Sequence, residues 1–346
     1  MSFNPQGLAT AIGSMPHPNP EAACRVILDS IPEIPIWPQL PATDFRESME
    51  IQYSEGLPGA VLDPAGGKMH FGTGGDITSE LEKFYENYMA ENLDHFKISP
   101  AFSRGIYEME RILTSRKPAG LRYFKNHVTG PITVGLGRTD ENKRAIYYNE
   151  MMRDVVVKGT EMKARWLLRR FKRLGVPQIC FIDEPILSAF GSSTYVSVQR
   201  SDVVQYLREV IAAVHKEGGL AGIHCCGNKE WTILVDAGAD VISFDAFDYG
   251  ETIAYYPGPM REFLERGGVL AWGIVPTSAK IAAETPESLL CRLRSAVDNL
   301  AGKGVPNALI WDRCLVTPSC GTGSLPVDLA ERVFSHLGAV SRRLLA

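Results

Sequence analysis

A chain of 346 residues with 45% hydrophobic and 22% charged side chains has an ordinary globular composition and can bury a sizeable core without staples. A formal net charge of −4, with no Lys/Arg run longer than short clusters such as Arg169-Arg170, excludes a basic nucleic-acid-binding face. No stretch approaches the roughly 18 uninterrupted apolar residues of a membrane span. The segment from Met1 to Asn19 is too rich in Pro and polar residues for a signal peptide, so a cytoplasmic protein is expected. Seven cysteines, an odd number not spaced like a secreted disulfide framework, also point to a reducing compartment.

In chain order, the first strand-like runs are Ala9–Ser14 and Ile34–Trp37, with a helical period over Glu21–Ser30 between them. The stretch from Leu40 to Gly75 is rich in Gly and Pro and has no clear period, which predicts an irregular excursion or a hairpin. Helical spacing returns at Ser79–Phe96. From about residue 119 apolar runs alternate with amphipathic segments, the pattern of βα units around a parallel sheet. The runs are Leu121–Val128, Gln178–Ile182, Leu220–His224, Val241–Phe244, Val269–Ile274 and Ala308–Trp311. The clearest helices among them are Asn142–Leu174 and Ser201–Glu217, closed by the breakers Gly175 and Gly218, and the last is Asp328–Leu345. Two early and six later strands predict an α/β fold, a single (β/α)₈ TIM barrel with an irregular N-terminal excursion, in one domain over residues 1–346.

Chemistry concentrates where these runs end. His224 and Cys226, two residues apart at the end of the run Leu220–His224, share one strand face in the segment His224-Cys225-Cys226-Gly227-Asn228. Cys225 points the other way. Zinc takes four donors, three from the protein when one position stays open for chemistry. Cys320, in the turn-rich segment Thr317-Pro318-Ser319-Cys320-Gly321-Thr322-Gly323, is the third donor, and Asp245, ending Val241–Phe244, is a candidate fourth. Any one of these alone reads as a core histidine or a small buried hydrophobe, as Cys24, Cys180 and Cys291 do. Together they favour a metal. A thiolate-rich zinc suits another sulfur, and coordination lowers a thiol pKa from about 8.5, leaving a nucleophile at neutral pH.

Phe181-Ile182-Asp183-Glu184-Pro185 is a second run ending in carboxylates, where Asp183 or Glu184 either holds an ammonium or makes a hydrogen bond at the end of the strand. Ile12-Gly13-Ser14-Met15-Pro16-His17 and His127-Val128-Thr129-Gly130-Pro131 are tight turns whose N–H groups and hydroxyls, Ser14 and Thr129 included, could grip a carboxylate. Gly72-Thr73-Gly74-Gly75 and Ala65-Gly66-Gly67-Lys68 lack the spacing and context of a nucleotide-binding loop. Trp37-Pro38-Gln39-Leu40-Pro41 reads as packing at the barrel mouth.

These pieces resemble the catalytic half of cobalamin-independent methionine synthase, within the wider group of barrels that includes uroporphyrinogen decarboxylase and corrinoid-dependent methyltransferases. The matching pieces are Ile12-Gly13-Ser14, Thr129-Gly130-Pro131, Ile182-Asp183-Glu184-Pro185, His224-x-Cys226, Ile242-Ser243-Phe244-Asp245 and Pro318-Ser319-Cys320-Gly321. The resemblance implies zinc held by His224, Cys226 and Cys320 with a carboxylate at Asp245, the amino group of homocysteine on Asp183, and its carboxylate at Ser14. Asp245 stands where methionine synthases have the longer Glu, and a three-ligand set resembles the corrinoid-linked enzymes. Only a short tail precedes Ile12-Gly13-Ser14, so the expected methyl donor is a methylated corrinoid or corrinoid protein rather than a folate. The expected function is a zinc-dependent methyltransferase acting on a small thiol. The alternatives are a metal-free decarboxylase-like barrel and a non-catalytic corrinoid- or thiol-binding barrel.

Overall fold

The computed structural model describes residues 3–191, 195, 197–227 and 230–346. Strands β1 (Ala60–Asp63) and β2 (Lys68–Phe71) form an antiparallel hairpin inside the Leu40–Gly75 stretch. Six further strands, β3 (Phe124–Thr129), β4 (Gln178–Asp183), β5 (Leu220–Cys225), β6 (Val241–Phe244), β7 (Val269–Val275) and β8 (Cys314–Pro318), form one parallel sheet in that spatial order. Nearly every residue of these six is buried, because the sheet is covered on both faces, and that explains why they read as continuous apolar runs.

The expected closed eight-stranded barrel is not what forms: the sheet is a six-stranded parallel half-barrel. Ala9–Ser14 and Ile34–Trp37 contribute isolated bridges, Ala9 to Val316 on the β8 edge, Ile36 to Lys125 on the β3 edge, and Ser14 to Gln39 between them. Pro35 and Pro38 have no N–H to donate, which interrupts a ladder through the second run. What remains are single bonds such as Thr10 N to Val316 O at 3.0 Å, Lys125 N to Pro35 O at 3.0 Å and Met15 N to Gln39 O at 2.8 Å.

The run Ala308–Trp311 is also not a strand. It lies in the helix Asn307–Asp312, and β8 begins beyond it at Cys314. The long expected helix Asn142–Leu174 is a helix over Glu150–Phe171, capped by the Asn149 side chain and followed by one 3₁₀ turn that ends at Gly175, φ 69°. Among the described residues no helix is long and apolar enough to cross a membrane.

Strand register decides where the chemistry sits. Phe181, Gly222, Val241 and Val269 are successive partners across β4 to β7. Phe181, Val241 and Val269 belong to a small apolar core, with Leu8, Ile12, Ile34 and Leu315, that is separate from the main one. Two residues further along each strand, on the same face, come Asp183, His224 and Ser243, again mutual partners. Polar residues therefore follow an apolar floor toward the carboxyl ends of the strands.

Candidate metal centre

His224 and Cys226 leave the end of β5, and Cys320 follows β8. One ligand atom from each of the three lies within 4.8 Å of the others, so His224, Cys226 and Cys320 could hold a metal ion. His224 is buried and both cysteines are half-buried. The Cys320 turn is pinned on two sides. Ser319 N donates to Val275 O at 2.8 Å, while Thr322 N donates to Ser14 O at 2.8 Å and Gly323 N to Ser14 Oγ at 3.3 Å. A loop anchored at both ends can present a sulfur at a fixed distance from a strand it does not adjoin.

The two sulfurs form an acidic–basic pair. A hydrogen bond from Cys226 pulls the Cys320 thiol below its ordinary range, and the same bond pushes Cys226 up by fixing its proton. A nitrogen and two sulfurs together suit a soft divalent ion. On the imidazole, Nδ1 is 2.9 Å from Ser243 Oγ, whereas Nε2 is buried with no hydrogen-bond partner among the described residues. Donor chemistry and the unengaged nitrogen both fit a zinc-type site. Cys225 lies on the opposite strand face, in the main core, and Cys314 is buried at the start of β8. Cys24 and Cys180 are buried as expected, but Cys291 is exposed.

Asp245 is not part of this cluster. It is the N-cap of the short helix Ala246–Tyr249, and its Oδ1 accepts from Phe247 N and Asp248 N, both at 2.9 Å. Burial pushes its carboxyl up to about 6, against those two N–H bonds and the nearby His224. An aspartate between a strand and a helix is a capping signal, and Oδ1 of Asp245 is used in that way.

The carboxylates after β4 diverge. Asp183 is buried beside His224 in the sheet, its Oδ1 has no partner among the described residues, and burial pushes it up to about 6, opposed by Lys125 and His224. Glu184 instead turns toward the helix Pro131–Gly137, accepting from Ile132 N at 3.0 Å, Thr133 N at 2.7 Å and Thr133 Oγ1 at 2.6 Å. That carboxylate joins the end of β4 to the first turn of this helix. Thr129 is opposite Asp183 in register, but its hydroxyl donates to Met49 O at 2.5 Å. Ser14 sits against the Cys320 turn, as described above. Asn228, quoted with the His-x-Cys segment, is outside the described residues.

Three buried side chains near these were not singled out from the sequence. Lys125 donates from Nζ to Ile12 O at 2.7 Å and lies 4.3 Å from the Phe181 ring centroid; burial pulls its pKa down to about 8. His127 stacks on Trp37 at 3.8 Å between centroids, and neither ring nitrogen has a partner among the described residues. Burial, with Lys125 nearby, holds its pKa well below the ordinary imidazole range. Ser243 is the third. Strand alternation could have placed Lys125 and His127 on the face of Thr129, but only the register shows what each meets.

No protein-family model and no curated protein matches this chain. Among solved structures it is similar to a modular endo-β-1,4-mannanase of glycoside hydrolase family 26 from Cellulomonas fimi. The two are 13% identical, the match covers 63% of this chain and 63% of that one, and the TM-score is 0.28. The chain thus spans less than two thirds of that mannanase, and a likeness of this degree carries no argument about fold or activity.

Proposed function

We propose that the protein is an enzyme, a zinc-dependent methyltransferase that methylates a small thiol such as homocysteine, with a methylated corrinoid or corrinoid protein as donor. The observation that supports this reading is the approach of His224, Cys226 and Cys320 to within 4.8 Å, from strands that do not adjoin. The resemblance to the methionine synthase catalytic half supports it too, since those residues are the ones it implies. Zinc held there would favour the thiolate form of an added thiol at neutral pH.

The remaining roles fall to the chain's own groups. Asp183, buried beside His224 with Oδ1 unengaged among the described residues, is the group to bind a substrate ammonium. Ser14, whose Oγ already accepts from Gly323 N, has its O–H left to donate to a substrate carboxylate. Together they would orient an amino-acid thiol with its sulfur toward the cysteines. Glu184 and Thr129 tie the ends of β4 and β3 to the helices Pro131–Gly137 and Met49–Gln52.

The test is to mix the purified protein with methylcobalamin, with and without homocysteine, and follow the cobalamin spectrum and the methylated thiol. The reading expects demethylation that requires both the thiol and the metal, and that falls strongly in Asp183→Asn. A spectral shift without methyl transfer would make the protein a binder, and turnover indifferent to zinc removal would refute the metal's role.

A further inference from the structure

Ser243 sits in the middle of the buried sheet, on β6, fully out of contact with solvent. Its register partners are His224 on β5 and Ala271 on β7. A hydroxyl in such a place costs free energy unless it is hydrogen-bonded. Its bond to His224 Nδ1, at 2.9 Å, is the one it makes to another side chain among the described residues.

That bond constrains the ring in two ways. It leaves Nε2 as the ring nitrogen without a hydrogen-bond partner among the described residues. It also restrains rotation about the bond between Cβ and the ring, because turning the imidazole would strand both Nδ1 and the buried hydroxyl. A cation held by the three residues needs a lone pair on Nε2, which leaves the ring proton on Nδ1, where the Ser243 hydroxyl stands to accept it.

We propose that Ser243 is a positioning residue for the metal centre: its Oγ accepts the Nδ1–H of His224, which fixes the tautomer that presents the Nε2 lone pair toward Cys226 and Cys320. The inference rests on the metal reading above and names the group that readies its imidazole ligand. An outer hydrogen bond of this kind sets both ring orientation and ligand basicity. The ions it serves are divalent cations that take nitrogen and sulfur together, such as zinc or cobalt(II).

The experiment uses the full chain and compares wild type, Ser243→Ala and Ser243→Thr. Zinc affinity is measured by competition with a chromophoric chelator, the ligand field by cobalt(II) absorption, and folding by thermal unfolding of the metal-free proteins. Ser243→Ala is expected to bind zinc about 10–100-fold more weakly. Its cobalt form should keep the thiolate-to-metal charge-transfer band while the d–d bands change, and Ser243→Thr, which retains the hydroxyl, should stay close to wild type. Wild-type zinc affinity and unchanged d–d bands in Ser243→Ala would overturn the proposal. So would a loss of metal-free stability in both variants large enough to account for the weaker binding, because the hydroxyl would then be structural. A wild-type protein that takes up no zinc at all would defeat the metal reading itself, a result distinct from either.

Discussion

A Cβ added to Gly321 would lie 2.1 Å from the Oγ of Ser14, so the residue that follows Cys320 can carry no side chain while Ser14 keeps its place. Two segments more than 300 residues apart in sequence meet there, joined by the bonds from Thr322 and Gly323 to Ser14. Gly321→Ala should therefore cost about 1–3 kcal/mol through overpacking and displace Cys320. Urea unfolding would read the first effect and chelator competition the second. A less stable protein with undiminished metal affinity would mean that this contact does not set the position of the sulfur.

Glu184 is a test of how a strand-end carboxylate should be read. With Ile132 N, Thr133 N and Thr133 Oγ1 all donating to it in a buried setting, Glu184→Ala should destabilise the fold by about 2–5 kcal/mol. The urea midpoint measures this directly. If the midpoint holds and thiol binding is lost instead, Glu184 belongs with the substrate, as the sequence alone allowed.

Lys163 offers a pH signature away from the metal centre. It is buried on the helix Glu150–Phe171, with Nζ 2.7 Å from Glu55 O, and burial pulls its pKa down to about 8 despite the opposing pull of Glu55. Between pH 8 and the unfolded value near 10.5 the unfolded chain binds a proton that the folded one does not, so stability rises with pH across that window and is lower below it. The contribution is on the order of a few kcal/mol. Lys163→Met should flatten the rise, read as the difference between the two proteins' unfolding free energies from pH 7.5 to 10.5. Parallel curves would show that the lysine is not desolvated in the folded protein.

Much of the half-barrel was legible because a strand covered on both faces must be apolar along its length: Gln178–Ile182 against Gln178–Asp183, and Val241–Phe244 unchanged. Short apolar runs carry no period, however, and so Ala308–Trp311 read as a strand although it belongs to a helix following Pro306. The early runs failed for a different reason. Their residues do reach the sheet edges, but prolines in and beside Ile34–Trp37 remove the donors that a continuous ladder needs.

The site divides in the same way. The convergence of His224, Cys226 and Cys320 was legible because soft donors at strand ends are an unusual combination. Asp245 carries its own local signal, that of a helix cap, and the structure puts the carboxylate to that use. The partners of Glu184 and Ser243 were beyond reach, since Thr133 is 51 residues from the one and His224 is 19 from the other. Such partners become visible only when strands are in register and helices are packed against them.

The central claim is that an imidazole and two sulfurs, drawn from separate parts of the chain, hold one cation. Metal analysis of the protein purified without chelators, beside Cys226→Ser and Cys320→Ser prepared identically, tests it most directly. About one zinc per chain is expected in the wild type, and little in either variant, since a serine hydroxyl is a poor substitute for a thiolate. A wild-type protein free of stoichiometric zinc, or variants that hold it as fully as the parent, would contradict the account.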